Sequence, residues 1–151
     1  MSTKHYKGFS VVDGDIRVDL DLSRVEENID RAQFWLDSQV MTDMVPFMPM
    51  ASGNFIQRTR AVSAAWAGTG QVCAGAPPMG RFLYEGKVMV DHETGSPWAR
   101  KGAKKVVTDK PLQYTTTFHS GVQDHWFEPA KQSHGKAWIA GVKRIGGGGN
   151  G

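Results

Sequence analysis

Apolar residues recur at helical spacing in two long stretches of the chain. Val25, Ile29, Ala32, Leu36, Val40 and Met44 are separated by steps of three and four, and Glu27, Asp30, Arg31 and Asp37 lie off that stripe. The spacing predicts an amphipathic helix over 24–45, stopped by Pro46 and Pro49. Ser23-Arg24-Val25-Glu26 matches a capping box at its start, in which a hydroxyl and a carboxylate reach the free N–H groups of the first turn. Phe127, Ala130, His134, Trp138, Val142 and Ile145 repeat the helical pattern near the end, with Lys131, Lys136, Lys143 and Arg144 away from them. A C-terminal amphipathic helix follows, with Asp124 as its cap, Pro129 near its first turn and basic residues in its last turn.

Other segments alternate instead. Ser10–Val12 and Ile16–Leu20 flank Asp13-Gly14-Asp15, and Ile16, Val18 and Leu20 alternate with Arg17 and Asp19, which predicts a hairpin with a half-buried second strand. Ala51–Ile56 reads as a turn into a short helical or extended segment. Residues 61–66 and 70–74 read as a strand pair around Gly68-Thr69-Gly70. Phe82-Leu83-Tyr84 suits one helical turn before Gly86, and Lys87–Val90 a strand. Residues 91–105 have turn formers and no periodicity, and form a long loop. Val106–Thr108 and Leu112–Phe118 read as β, divided at Asp109-Lys110-Pro111. The expected class is α+β: an N-terminal hairpin, a long amphipathic helix, an antiparallel sheet with a long loop and a C-terminal amphipathic helix. Residues 1–145 form one domain, with 1–22 as a hairpin extension and 146–151 as a flexible Gly-rich tail.

Composition narrows the class. With 151 residues, 40% hydrophobic and 22% charged, the chain suffices for one core. Its single cysteine excludes an internal disulfide, and Cys73 lies in an apolar run that suits an inert buried thiol. No apolar run of ~18 residues is present, and the first ten residues lack a signal peptide's apolar stretch, so a soluble protein of a reducing cytoplasm is expected. Charge is unevenly placed. Residues 1–50 carry 5 Lys/Arg against 9 Asp/Glu, whereas 51–151 carry 13 against 6. Either the monomer has two differently charged faces, or an acidic patch of one copy meets a basic patch of the next in a head-to-tail ring.

Reaction chemistry has little support in the residues. No phosphate-binding Gly-Lys-Ser/Thr loop and no Gly-x-Ser-x-Gly elbow is present. His92, His119, His125 and His134 are the candidates for acid–base or metal roles, but none has another His or Cys at zinc-site spacing. No catalytic residue, metal or cofactor is assigned. The methionines Met41, Met44, Met48 and Met50 suit either core packing or a plastic groove. Arg100, Lys101, Lys104 and Lys105 beside Trp98 form a dense basic cluster: a solvated loop tip, an interface, or a surface for phosphates. The alternative function is accordingly a small nucleic-acid-binding protein using the 100–105 loop.

Four motifs in order resemble the minor capsid proteins of tailed phages. Met44-Val45-Pro46-Phe47-Met48-Pro49 with Ser52-Gly53-Asn54-Phe55-Ile56 resembles their "VP(Y/F)xP…(T/S)GNL" segment. Pro77–Lys87, with Arg81-Phe82-Leu83-Tyr84-Glu85-Gly86-Lys87, is similar to a Pro turn and "RYLYYGK". Trp126-Phe127-Glu128-Pro129-Ala130-Lys131 with His134 and Trp138 resembles the closing "WFExAKxxHxxxW" helix. The likeness covers roughly residues 25–145; residues 1–22 match nothing in the family. It implies a non-enzymatic neck or tail-completion protein of a long-tailed phage, made in the host cytoplasm and placed in the virion at the head–tail junction. It further implies a homo-oligomeric ring, a hexamer or dodecamer, in contact with portal, neck and tail proteins, with DNA passing non-specifically and no membrane. Tyr84, Gly86, Trp126, Phe127 and Trp138 are the motif anchors. From their chemistry the aromatics are expected to fasten the last helix to the sheet.

Overall fold

The computed structural model describes residues 8–148; the rest of the N-terminal extension and of the Gly-rich tail lies outside the described residues. Four helices, α1 (Ser23–Met44), α2 (Asn54–Trp66), α3 (Gly80–Glu85) and α4 (Phe127–Gly146), combine with two separate antiparallel pairs. One pair is β1 (Phe9–Asp13) with β2 (Ile16–Leu20); the other is β3 (Lys87–Asp91) with β4 (Lys105–Pro111). The class is α+β, with the long N-terminal helix, the closing C-terminal helix and the N-terminal hairpin as expected.

α1 and α4 are the frame. Ala32 approaches Gly146, Trp35 approaches Gly141, and Asp43 bonds Trp138, so the two run antiparallel with α4's end over α1's start. Ala32, Val40, Met41 and Met44 of α1 are buried, as are Ala130, Trp138, Gly141 and Ile145 of α4. Asp37, expected off the stripe, is buried as well, because its carboxylate accepts the Gly68 and Gly70 N–H groups at 2.8 and 2.9 Å. The core continues into Met48, Ile56 and Trp126, and the methionine cluster takes the packing role. Val25, at the outer end of the α1 stripe, stays exposed. Gly141 leaves room for Trp35 of α1: a Cβ there would collide with the Trp35 indole. Neither expected cap forms. Leu22 is the N-cap of α1, and Asp21 Oδ1 instead accepts from the Ser23 N–H at 3.0 Å; Trp126 rather than Asp124 is the N-cap of α4, without a side-chain bond.

The strand pair expected over 61–66 and 70–74 is absent, because 61–66 continues α2. The buried face of α2 is Ile56, Thr59 and Ser63, two of them hydroxyl residues, which do not register as an apolar stripe. Those hydroxyls supply what a strand would. Ser63 Oγ donates to Cys73 O at 3.1 Å and accepts from Cys73 N at 2.9 Å, while Thr59 Oγ1 accepts from Ala76 N at 3.0 Å. Residues 72–76 thus satisfy buried backbone groups on a helix. Cys73 is buried, as its apolar run suggested.

The sheet differs too. β4 runs unbroken through Asp109, Lys110 and Pro111, with a register irregularity between Lys87 and Met89, and Pro111 pairs at the strand's end. Leu112–Phe118 is not a strand; it is tied to α3 by the Tyr114 hydroxyl, which donates to Leu83 O. The N-terminal hairpin forms as expected, with Asp13 paired to Ile16 across the turn, but β2 is not half-buried: Val11, Val12, Ile16 and Val18 are all exposed. No helix among the described residues is long and apolar enough to cross a membrane.

Candidate functional site

Two places collect the residues singled out in the sequence. The first is a joint around Trp126, whose side chain is completely buried. Tyr84 meets its ring edge-to-face at 4.8 Å and Phe55 at 6.1 Å, and the indole N–H donates to Ala74 O at 2.9 Å. The backbone around it is sewn to the same partners: His125 N–H donates to Tyr84 O at 2.9 Å, and Gln123 N–H to Phe47 O at 3.2 Å. His119 Nδ1 lies 2.9 Å from Met48 O. Gly86, the left-handed C-cap of α3 at φ +70°, permits the reversal into β3, and a Cβ there would stand 2.5 Å from that of Asp124. Phe127 stacks on Trp138 with centroids 6.1 Å apart. Three segments remote in sequence, 47–55, 81–87 and 126–138, therefore meet at one point. The aromatics fasten α4 to α1, α2 and α3, not to the sheet as expected.

The second place is the β3–β4 hairpin with its 92–104 connection. Asp91, the last residue of β3, is fully buried and organises the loop. Its carboxylate accepts the backbone N–H groups of Glu93 at 2.9 Å, Thr94 at 3.3 Å and Arg100 at 3.2 Å. Arg100 grips it as well, Nε to Oδ2 at 3.1 Å, and places Nη2 2.6 Å from Glu93 Oε2. The Arg100 guanidinium, then the Glu93 N–H, hold the Asp91 carboxyl well below the usual carboxylate range; Asp91 and Glu93 in turn raise Arg100. Arg100 is thus a strut inside the loop, and its charge is spent on carboxylates of its own hairpin. Lys101, Lys104 and Lys105 are exposed, with no ion pair among the described residues, and Trp98 is 88% exposed. The expected cluster of four free cations is a cluster of three. Asp91's organising role is not legible in the sequence, because its partner Arg100 lies nine residues further on across a segment without periodicity.

The histidines are dispersed. His92 lies beside Glu93, His125 between Glu85 and Asp124, and His134 3.9 Å from Asp43. Among the described residues no three His, Cys, Asp or Glu side chains are grouped to hold a metal ion. His125 also takes φ +44° and packs its ring on Tyr84 at 5.0 Å, which makes it part of the Trp126 joint. In comparisons with known proteins, the chain matches no family model, no curated protein and no solved structure.

Proposed function

We propose that the protein is a structural subunit of the neck of a long-tailed phage, one copy of a ring that joins the portal or head-closure proteins to the tail. The observation that carries this reading is the convergence at Trp126. The segments similar to the phage minor capsid motifs are remote in sequence, yet Phe55, Tyr84, Gly86 and Trp126 pack into a single joint. Motifs that hold a subunit rigid suit a protein whose work is mechanical, with adaptable loops at its edge. The lysine-bearing hairpin is such a loop. Depleting the protein during infection should leave filled heads and separate tails that do not join, and supplying it in trans should restore joined particles. Normal joined particles in its absence would overturn the proposal.

The second reading, a small nucleic-acid-binding protein, rests on exposed Lys101, Lys104 and Lys105 beside exposed Trp98. It requires a steep loss of duplex binding with salt, each phosphate contact contributing close to one unit of slope. Arg100, the cation best suited to phosphate, is occupied by Asp91 and Glu93, which disfavours it.

A further inference from the structure

The two hairpins are opposite in charge, and both present apolar side chains to solvent. Residues 9–21 carry four aspartates against the single Arg17, which is itself paired with Asp19 at 2.9 Å. Residues 87–111 carry six cations against three carboxylates, and two of those carboxylates serve Arg100. On the first hairpin Val11 and Val18 lie directly opposite each other, 50% and 48% exposed, with Ile16 further along the same face at 68%. On the second, Trp98, Val106 and Val107 are exposed. Each sheet has only two strands, an arrangement marginal in water without something packed on it.

We infer that the acidic β1–β2 hairpin of one copy docks on the basic β3–β4 hairpin of a second copy. Asp13 and Asp15 at the tip of the first face Lys101, Lys104 and Lys105 of the second, and the Val11–Val18 face covers Val106 and Trp98. Lys105, Lys110 and Pro111 on the outer strand discourage a neutral or basic strand from adding there, while an acidic one is attracted. The two surfaces differ, so the contact is head-to-tail, and its repetition closes a ring or extends a filament. The inference rests on the reading of the protein as an oligomeric neck subunit and names the surface that joins the copies.

Charge reversal on each side tests it. Asp13→Lys with Asp15→Lys makes both hairpins basic, and Lys104→Glu with Lys105→Glu makes both acidic; all four residues are exposed, so thermal unfolding should stay at the parent temperature. In sedimentation over a concentration series at low salt, the parent should self-associate. Each reversed protein alone should weaken association at least about tenfold, and an equal mixture of the two should recover it, since opposite hairpins then meet again. Ile16→Thr with Val18→Thr should weaken it at high and low salt alike, because apolar burial is not screened. A parent that stays monomeric, reversed proteins that associate like the parent, or a mixture that does not recover would overturn the contact. So would reversal of Lys104 and Lys105 that changes retention of a duplex DNA probe but not self-association. Incorporation of the reversed proteins into normal particles would remove the contact and leave the neck reading standing. Recovery by mixing, with the protein absent from particles, would do the opposite.

Discussion

The indole N–H of Trp138 donates to Oδ2 of Asp43 across 2.7 Å, tying the middle of α4 to the last turn of α1. Gln39 Nε2 supplies bonds of 3.0 and 3.1 Å to the same carboxylate, so Asp43 is held from its own helix and from its partner. Trp138 is buried, with its ring stacked on Phe127. It is therefore both the apolar filling and the polar latch of the helix pair.

Trp138→Ala should destabilise the fold by ~3–5 kcal/mol, a large share of a domain's total of about 5–15 kcal/mol. Trp138→Phe keeps the stacking and gives up the bond to the carboxylate, a loss of roughly 1.5–3 kcal/mol. Lys136→Ala, on the exposed side, should stay within about 0.5 kcal/mol of the parent. Urea unfolding of the three variants gives the order; a Trp138→Ala protein as stable as the parent would show that the helix pair is held elsewhere.

Two glycines of α4 should respond oppositely to alanine. At Gly135 the nearest neighbour is the flexible Lys131 side chain at 3.8 Å, so Gly135→Ala should stabilise by about 0.5–1 kcal/mol through helix propensity alone. At Gly141 the added methyl meets the Trp35 ring, and the same change should destabilise by ~1–3 kcal/mol as overpacking. Trp35→Leu combined with Gly141→Ala should recover part of that loss, and thermal melts of single and double variants measure the coupling.

Ser63 is predicted to matter as a backbone partner. Ser63→Ala strips Cys73 of the acceptor for its N–H and the donor to its carbonyl at a buried site, and should cost about 1–3 kcal/mol. Hydrogen exchange should show faster opening of the 72–76 segment. Unchanged protection there would mean that α2 does not hold the segment.

The β3–β4 loop should loosen in acid. Asp91 titrates well below its unfolded range, so its contribution is present above the unfolded pKa, about 3.9, and is lost as pH falls through the folded value. Asp91→Asn should release the loop at neutral pH and remove that acid dependence, with Arg100→Ala acting in the same direction. Tryptic cleavage at Lys101 and Lys104 reports the release at neutral pH, and the amide resonances of Glu93, Thr94 and Arg100, followed downward from about pH 5, report the acid limb. Equal cleavage in parent and Asp91→Asn at neutral pH would contradict the anchoring.

At the alkaline end, burial and then Asp124 push the Tyr114 hydroxyl up to about 12. The neutral phenol is the form that bonds Leu83 O, so stability from this group is present below about pH 10 and is lost as pH rises toward 12. Tyr114→Phe should flatten the alkaline limb of the stability profile in a series of urea melts.

What was legible in the sequence was what periodicity encodes. The α1 and α4 stripes are apolar, long and ended by Pro or Gly, so both helices were readable from spacing. α2 was not, because Thr59 and Ser63 face the core in place of large apolar residues and their hydroxyls bond an extended segment that looked like a strand. The hairpin was legible from Asp13-Gly14-Asp15, yet its burial was not, because alternation says which residues share a face and not whether anything covers it. In the basic loop the density of charge was plain. That Arg100 turns inward to Asp91, nine residues earlier, depends on a hairpin geometry that spacing does not carry.

Imaging of purified particles with the protein tagged at its C-terminus tests the central claim most directly. The account predicts density for the tag in a ring at the junction between head and tail, with multiple copies in each particle. Tag density on the capsid shell or the tail tip, or particles that lack the protein altogether, would contradict it.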